Sequence, residues 1–168
     1  MAPPNDGPGS IYSRNRDDCI EAASQLFRLL CDSEQRRKKM TDKLLTEDCI
    51  LAGLEHDGSL YARKTSPNAR KFVKEEFEPW TAYRIHDDCE FVEVDMMSSA
   101  LTYKVTIWVR DEETGAMDET ETMCTSVFKQ NAGSEWQVCL LHMSRVQDED
   151  DDEEDEEDED EEAEEEVE

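Results

Sequence analysis

At 168 residues the chain has room for one domain, and its 45 acidic residues against 18 basic ones give a formal net charge of −27. Of those acids, 19 fall within the 21 residues 148–168, which leaves 26 acidic against 18 basic residues in 1–147 and a body that is only mildly acidic, at −8. The acidic tail excludes itself from direct nucleic-acid binding, because phosphate repels it, and no apolar run approaches the length of a membrane span.

The first ten residues, MAPPNDGPGS, have neither a basic n-region nor an apolar core and read as part of a short flexible lead, 1–16, to a soluble intracellular protein, cytoplasmic or nuclear. In DCIEAASQLFRLLC (18–31) the apolar residues Cys19, Ile20, Ala23, Leu26, Phe27, Leu30 and Cys31 recur at helical spacing, with Asp18 and Glu21 in capping-box positions. A second, more exposed helix is expected over 33–45, with Ser33 as N-cap. Residues 49–63 carry two β-capable runs on either side of Asp57-Gly58, a hairpin turn signal. Ser66-Pro67 opens a third predicted helix, 66–80, whose stripe Ala69, Phe72, Val73 and Phe77 runs until Pro79 stops it.

After Trp80 the period changes to two, and four strands are expected at 82–94, 100–111, 121–130 and 135–146. Helices followed by a run of antiparallel strands define an α+β domain, 17–147, with the helices on one face of the sheet. Alternation assigns Leu101, Tyr103, Val105, Ile107, Val109, Thr122, Cys124, Ser126, Phe128, Trp136, Val138, Leu140 and His142 to the face that meets the helices. The opposite face then carries Trp108, Met123, Val127, Leu141 and Met143, more apolar surface than a solvated sheet usually shows, and a homodimer through these residues is expected. Residues 148–168 have almost no apolar surface to offset chain entropy and should form a disordered tail. It serves either as a solubilising appendage or as a polyanion for basic protein partners.

The helix pair, EDCILAGLEHDGSLYAR, the helix ending EEFEPWTAYRIHD, and the closing hairpin TMCTSVFKQNAGSEWQVCLLHMS together resemble the nuclear transport factor 2-like superfamily, in particular its SnoaL-like and calcium/calmodulin-kinase-association-like branches. The resemblance spans roughly 17–146. It implies a cone: N-terminal helices packed in the concavity of a curved, mainly antiparallel sheet, with a pocket for a small apolar ligand. The superfamily contains isomerases, dehydratases, adaptors and pocket-bearing proteins without catalysis, so fold analogy does not choose a function.

For that pocket the expected lining is Tyr61, Trp80, Tyr83, Tyr103, Ser126 and His142. Isomerase-type catalysis needs a carboxylate or His base beside an apolar cavity. Candidates for it are His142 and Asp48, while Glu55, His56, Asp57, His86, Asp87 and Asp88 are scattered and Asp57 serves the turn. No Asp or Glu falls on the helix-facing list of the last three strands, and a non-catalytic binding protein is the expected function, with a lyase or isomerase of a small hydrophobic substrate as the alternative and an acidic-tail, histone-chaperone-like binder as a third possibility. The six cysteines form no C-x-x-C pair, so reduced thiols are expected in place of a metal site or disulfides, and no cofactor is anticipated. Arg36, Arg37, Lys38 and Lys39 form a minimal import-type basic run, or the solvated face of the second helix, or a weak contact for the chain's own tail.

Overall fold

A computed structural model describes residues 10–55, 57–66 and 68–146 of the chain. The acidic tail, the first part of the N-terminal lead, His56 and Pro67 lie outside the described residues.

Helix α1 spans Ile11–Leu30, so it begins well before the expected start at Asp18. Its N-cap is Ser10, whose hydroxyl accepts from the Ser13 N–H at 3.1 Å, which leaves Asp18 and Glu21 inside the helix and not in a capping box. One face buries Cys19, Ala22, Ala23, Leu26, Phe27 and Leu30. Helix α2, Glu34–Leu44, is capped by Ser33 and buries Arg37, Thr41 and Leu44. It runs directly into β1, Leu45–Leu54, which pairs with β2, Leu60–Ser66, across the expected turn.

The third helix differs from expectation. Ser66 closes β2, and Asn68 caps the next turn by accepting from the Lys71 N–H at 3.2 Å. Only Ala69–Lys71 (α3) is α-helical; Phe72–Glu76 widens into a π turn that closes with the Phe77 N–H on the Phe72 carbonyl, 3.0 Å. Widening frees carbonyls from their usual partners, and Arg37 collects one of them together with the carbonyl of Phe77, just past the turn. Its Nε donates to Val73 O at 2.8 Å and its Nη2 to Phe77 O at 2.6 Å, while Nη1 reaches Asp32 O at 2.6 Å. A residue of the basic run 36–39 is therefore an internal clamp, 3% exposed, joining α2 to the π turn and the end of α1.

The expected strand 82–94 divides into β3 (Ala82–Ile85) and β4 (Glu90–Asp95), both antiparallel to β5 (Ser98–Arg110). β5 forms a long hairpin with β6 (Met117–Gln130), which pairs with β7 (Trp136–Arg145). The sheet order is β2-β1-β7-β6-β5-β3, with β4 beside β3 on the same edge of β5. Only the β1–β7 pairing is parallel. The fold is thus α+β, N-terminal helices against a curved open sheet.

Two bulges set the side-chain facing. At Gly53 (φ +87°) β1 shifts register against β2, and a Cβ there would sit 2.0 Å from the Met143 carbonyl oxygen of β7, so only glycine admits this approach. In β7, Val138 pairs with Phe128 but Leu140 pairs with Val127, so Cys139 is the extra residue. A one-residue shift reverses every later side chain. Trp136 and Val138 face the helices as expected, but beyond Cys139 it is Leu141 (1% exposed) and Met143 (0%) that enter the core, while Leu140 and His142 face outward. The expected facing of Leu140, His142, Leu141 and Met143 is corrected accordingly. Elsewhere alternation holds: Leu101, Tyr103, Val105, Ile107, Thr122, Cys124, Ser126 and Phe128 are buried against the helices.

Candidate functional site

The cone interior is organised by Phe27 of α1. Its ring stacks on Trp80 (5.8 Å between centroids, 15° between planes), meets Tyr103 edge-on at 6.0 Å and lies 6.0 Å from Tyr83. The polar tips of these aromatics are matched within the protein. Tyr103 Oη and Ser126 Oγ share a hydrogen at 2.7 Å, Tyr83 Oη donates to Ser24 O at 3.2 Å, and Trp80 Nε1 donates to Gly58 O at 3.0 Å. Burial pushes the Tyr103 phenol far above its ordinary range, so it remains a neutral hydroxyl.

Three of the six expected lining residues, Trp80, Tyr83 and Tyr103, therefore meet around one ring, and a fourth, Ser126, joins them through the Tyr103 hydroxyl. Tyr61 is elsewhere, 53% exposed on β2. His142 is exposed on the outer face, in register with Ala52 and Thr125, and so cannot serve a reaction inside the cone. Asp48 is also solvent-exposed, 3.9 Å from Lys129, and the neighbouring Thr46 hydroxyl together with that ammonium lowers its pKa. His86 holds Thr106 Oγ1 at 2.8 Å, and Asp87 and Asp88 are exposed in the β3–β4 loop.

One carboxylate missed by alternation is Asp118. β6 begins at Met117, earlier than expected, and Asp118 pairs with Val109, which puts it on the helix-facing parity at the end of the sheet. It borders an open cleft of about 480 Å³ with Gly58, Leu60, Ile107, Val109 and Arg145. Eight residues of β6 separate it from Ser126, about 27 Å at the rise of an antiparallel strand, so it is remote from the Tyr103–Ser126 pair, but its cleft adjoins the other end of the aromatic cluster, where Gly58 accepts from Trp80 Nε1 and Ile107 stands opposite Tyr83.

The outer face of the sheet carries a feature of different character. Following the pairing register across the strands, Ile50 of β1 lies opposite Leu140, Leu140 opposite Val127, Val127 opposite Ala100, and Ala100 opposite Val92 of β4. This is one apolar row crossing five strands, about 19 Å wide at the usual strand spacing. The row on one side is Ala52, His142, Thr125, Thr102 and Glu90; the row on the other is Gln137, Lys129 and Ser98. Ile50 and Val92 are 37% and 60% exposed. Of the residues expected on this face, Val127 is central to the row, Trp108 and Met123 are half-buried to one side, and Leu141 and Met143 are in the core. Ile50, Leu140, Ala100 and Val92 were missed. The parity of 92 and 100 was readable once β4 was recognised as a hairpin partner of β5, whereas Leu140 depended on the bulge.

All six cysteines are free thiols. Burial pushes Cys19, Cys49 and Cys124 up to about 12, which suppresses the reactive thiolate. Among the described residues no group of three or more His, Cys, Asp or Glu is positioned to hold a metal, and no helix is long and apolar enough to cross a membrane.

Against known proteins, no family model and no curated protein matches the chain. Solved structures do. The association domain of C. elegans CaMKII superposes with TM-score 0.60 at 10% identity, over 79% of this chain and 97% of that one. An NTF2-like superfamily protein from Salmonella enterica serovar Typhimurium gives 0.60 at 9%, covering 82% and 94%. A hexachlorocyclohexane dehydrochlorinase, LinA-type3, from Novosphingobium barchaimii gives 0.57 at 14%, covering 80% and 88%. The chain therefore has the nuclear transport factor 2-like cone fold. That fold serves association domains and enzymes alike, so function rests on the chain's own residues.

Proposed function

We propose that this chain is a non-catalytic protein-binding module that pairs with a second copy of itself through the outer face of its sheet. The observation that carries the reading is the apolar row Ile50–Leu140–Val127–Ala100–Val92 between polar rows, the arrangement of an interface with an apolar core and a polar rim. The interior argues in the same direction. The hydroxyls of Tyr83 and Tyr103 and the Trp80 indole are already hydrogen-bonded to protein partners, and His142, the expected base, faces away from them. Sedimentation of the full chain at tens of micromolar tests the pairing: a dimer is expected, and Val127→Glu with Leu140→Glu should give folded monomers. A wild-type monomer at that concentration would end the proposal.

A second reading, a small apolar ligand, draws on the cleft floored by Leu60, Ile107 and Val109. Native mass spectrometry of the purified protein tests it, since a co-purifying small molecule would shift the mass and Val109→Asp would remove that shift. Engagement of basic proteins by residues 148–168 is tested by comparing the full chain with a truncation after Gln147 across a salt series. Tail-dependent affinity should fall steeply as salt rises; equal affinity of both forms would assign the tail to solubility.

A further inference from the structure

We propose that the acidic segment 148–168 folds back in cis onto the outer face of α2, so that each copy of the chain covers its own cationic helix. The body is electrically lopsided. α2 holds Arg36, Arg37, Lys38, Lys39 and Lys43 against Glu34 and Asp42, and the adjoining stretch 69–76 holds Arg70, Lys71 and Lys74 against Glu75 and Glu76. These two elements thus carry a net +4 within a body of −8, which leaves −12 on everything else in 1–147. They are fastened together by Asp42, 2.6 Å from Lys74 and 3.7 Å from Arg70.

Most of these cations already have partners. Arg37 is turned inward on three carbonyls, Arg36 pairs with Asp32 at 2.9 Å, and Lys38 pairs with Glu34 at 2.9 Å. Lys39 and Lys43 are different. Both are exposed, no ion pair joins either to a described residue, and their i, i+4 spacing aligns them on one helix face with Arg36 one turn earlier.

The route of β7 makes the contact reachable. That strand starts beside α2, where Gln137 Nε2 donates to the carbonyls of Asp42 (3.1 Å) and Lys43 (3.3 Å). It ends at the opposite end of the sheet, where the Val146 N–H bonds to Glu121 O. Gln137 to Arg145 is about 26 Å at the strand rise, whereas 21 extended residues span about 70 Å. The tail can therefore return to α2 with more than half its length left to lie along it. The exit of β7 carries Asp118, Glu119 and Glu121 beside Arg110 and Arg145, with no net positive charge, so the nearest net cationic surface is α2. Tethering supplies an effective concentration of order millimolar, and screening beyond about 8 Å makes the contact dependent on salt. A Lys/Arg-rich partner that takes the tail would uncover α2, coupling one binding event to exposure of a second surface. The inference does not depend on dimer formation.

Zero-length carbodiimide coupling of the full chain tests it. After trypsin, residues 146–168 form a single peptide because no Lys or Arg follows Arg145. Lys104 is the control: it pairs with Met123, which pairs with Ser144, so it lies two strands, about 10 Å, from the end of β7, where an undirected tail would strike first. With each yield normalised to that lysine's coupling to free acetate, Lys39 and Lys43 should exceed Lys104 severalfold at physiological salt, and the excess should disappear in molar salt. Lys39→Glu with Lys43→Glu should shift coupling to Lys104. Equal or greater yield at Lys104 in the wild-type chain would overturn the proposal. So would links found only between labelled and unlabelled copies, which would assign the tail to a neighbouring molecule.

Discussion

Arg37→Met removes a guanidinium but keeps most of the stem packing, and so isolates the three hydrogen bonds that tie α2 to the π turn and to the end of α1. The bonds measure 2.8 Å to Val73 O, 2.6 Å to Asp32 O and 2.6 Å to Phe77 O. A hydrogen bond involving a charged group contributes about 1.5–3 kcal/mol, so three give an upper range of about 4.5–9 kcal/mol. Two offsets reduce that. The guanidinium's own desolvation is relieved when it is deleted, and the stranded carbonyls near α2 can gain water. A net loss of about 3–4 kcal/mol is expected, a large fraction of the roughly 5–15 kcal/mol that holds a domain together. Urea unfolding followed by circular dichroism measures it, with an unchanged slope marking intact two-state behaviour. Arg36→Met, one residue earlier in the same basic run, removes only an exposed pair with Asp32 and should cost less than about 1 kcal/mol. A loss below about 1 kcal/mol for Arg37→Met, or equal losses for the two, would refute the clamp and return Arg37 to the solvated face on which the sequence pattern placed it.

Gly53→Ala must open the β1–β7 pairing at Met143 as well as hold alanine at φ +87°, and should cost more than about 2 kcal/mol; Gly115→Ala, at φ +71° with open space around it, should cost only the about 1–2 kcal/mol of the left-handed backbone. Amide exchange of β1 and β7 should accelerate in the first variant alone. A thiol reagent applied to the native protein should modify the half-buried Cys31, Cys89 and Cys139 first and reach Cys19, Cys49 and Cys124 only on unfolding; fast reaction at Cys124 would contradict its packing. The Lys74 ammonium, 2.6 Å away, holds Asp42 below the usual carboxylate range. A depressed folded pKa stabilises above the unfolded value of about 4 and is lost as pH falls through the folded one. The stability gap between wild type and Asp42→Asn should accordingly be present at neutral pH and close in acid.

Much of the cone was legible because its elements obey simple periods. Ser33 followed by a helical stripe gave α2, Asp57-Gly58 gave the β1–β2 turn, and strict alternation from Leu101 to Ile107 and from Thr122 to Phe128 gave the inner face of β5 and β6. The π turn was hidden because its stripe, Phe72, Val73 and Phe77, fits an α-helix as well; what selects the wider turn is the Arg37 fork, a long-range partner that no local window contains. Of the candidate site, only Tyr103 and Ser126 of the interior cluster were readable from alternation, Phe27 at its centre was expected only as part of the helix stripe, and the outer row required knowing which residues stand opposite one another across five strands.

The facing of β7 was undecidable by period, since in VCLLHM both parities offer apolar side chains and a bulge costs only one unpaired residue. That ambiguity yields a sharp test. Deleting Cys139 removes the extra residue and leaves Val138, Leu141 and Met143 inward in a regular ladder with β6. Deleting Thr102, also at the sheet surface but in the unbulged β5–β6 ladder, has no such escape, because one half of β5 must reverse and drive Lys104 and Thr106, or the equivalent residues upstream, into the core. The first deletion should lose about 1–3 kcal/mol, mainly through lost curvature and altered pairing with β1, and remain folded; the second should abolish cooperative unfolding. Comparable damage from both would mean that Cys139 is not a spare residue in the ladder. Leu140 and Val127 would then have no reason to share the outer face, and the apolar row that motivates pairing would be broken at its centre.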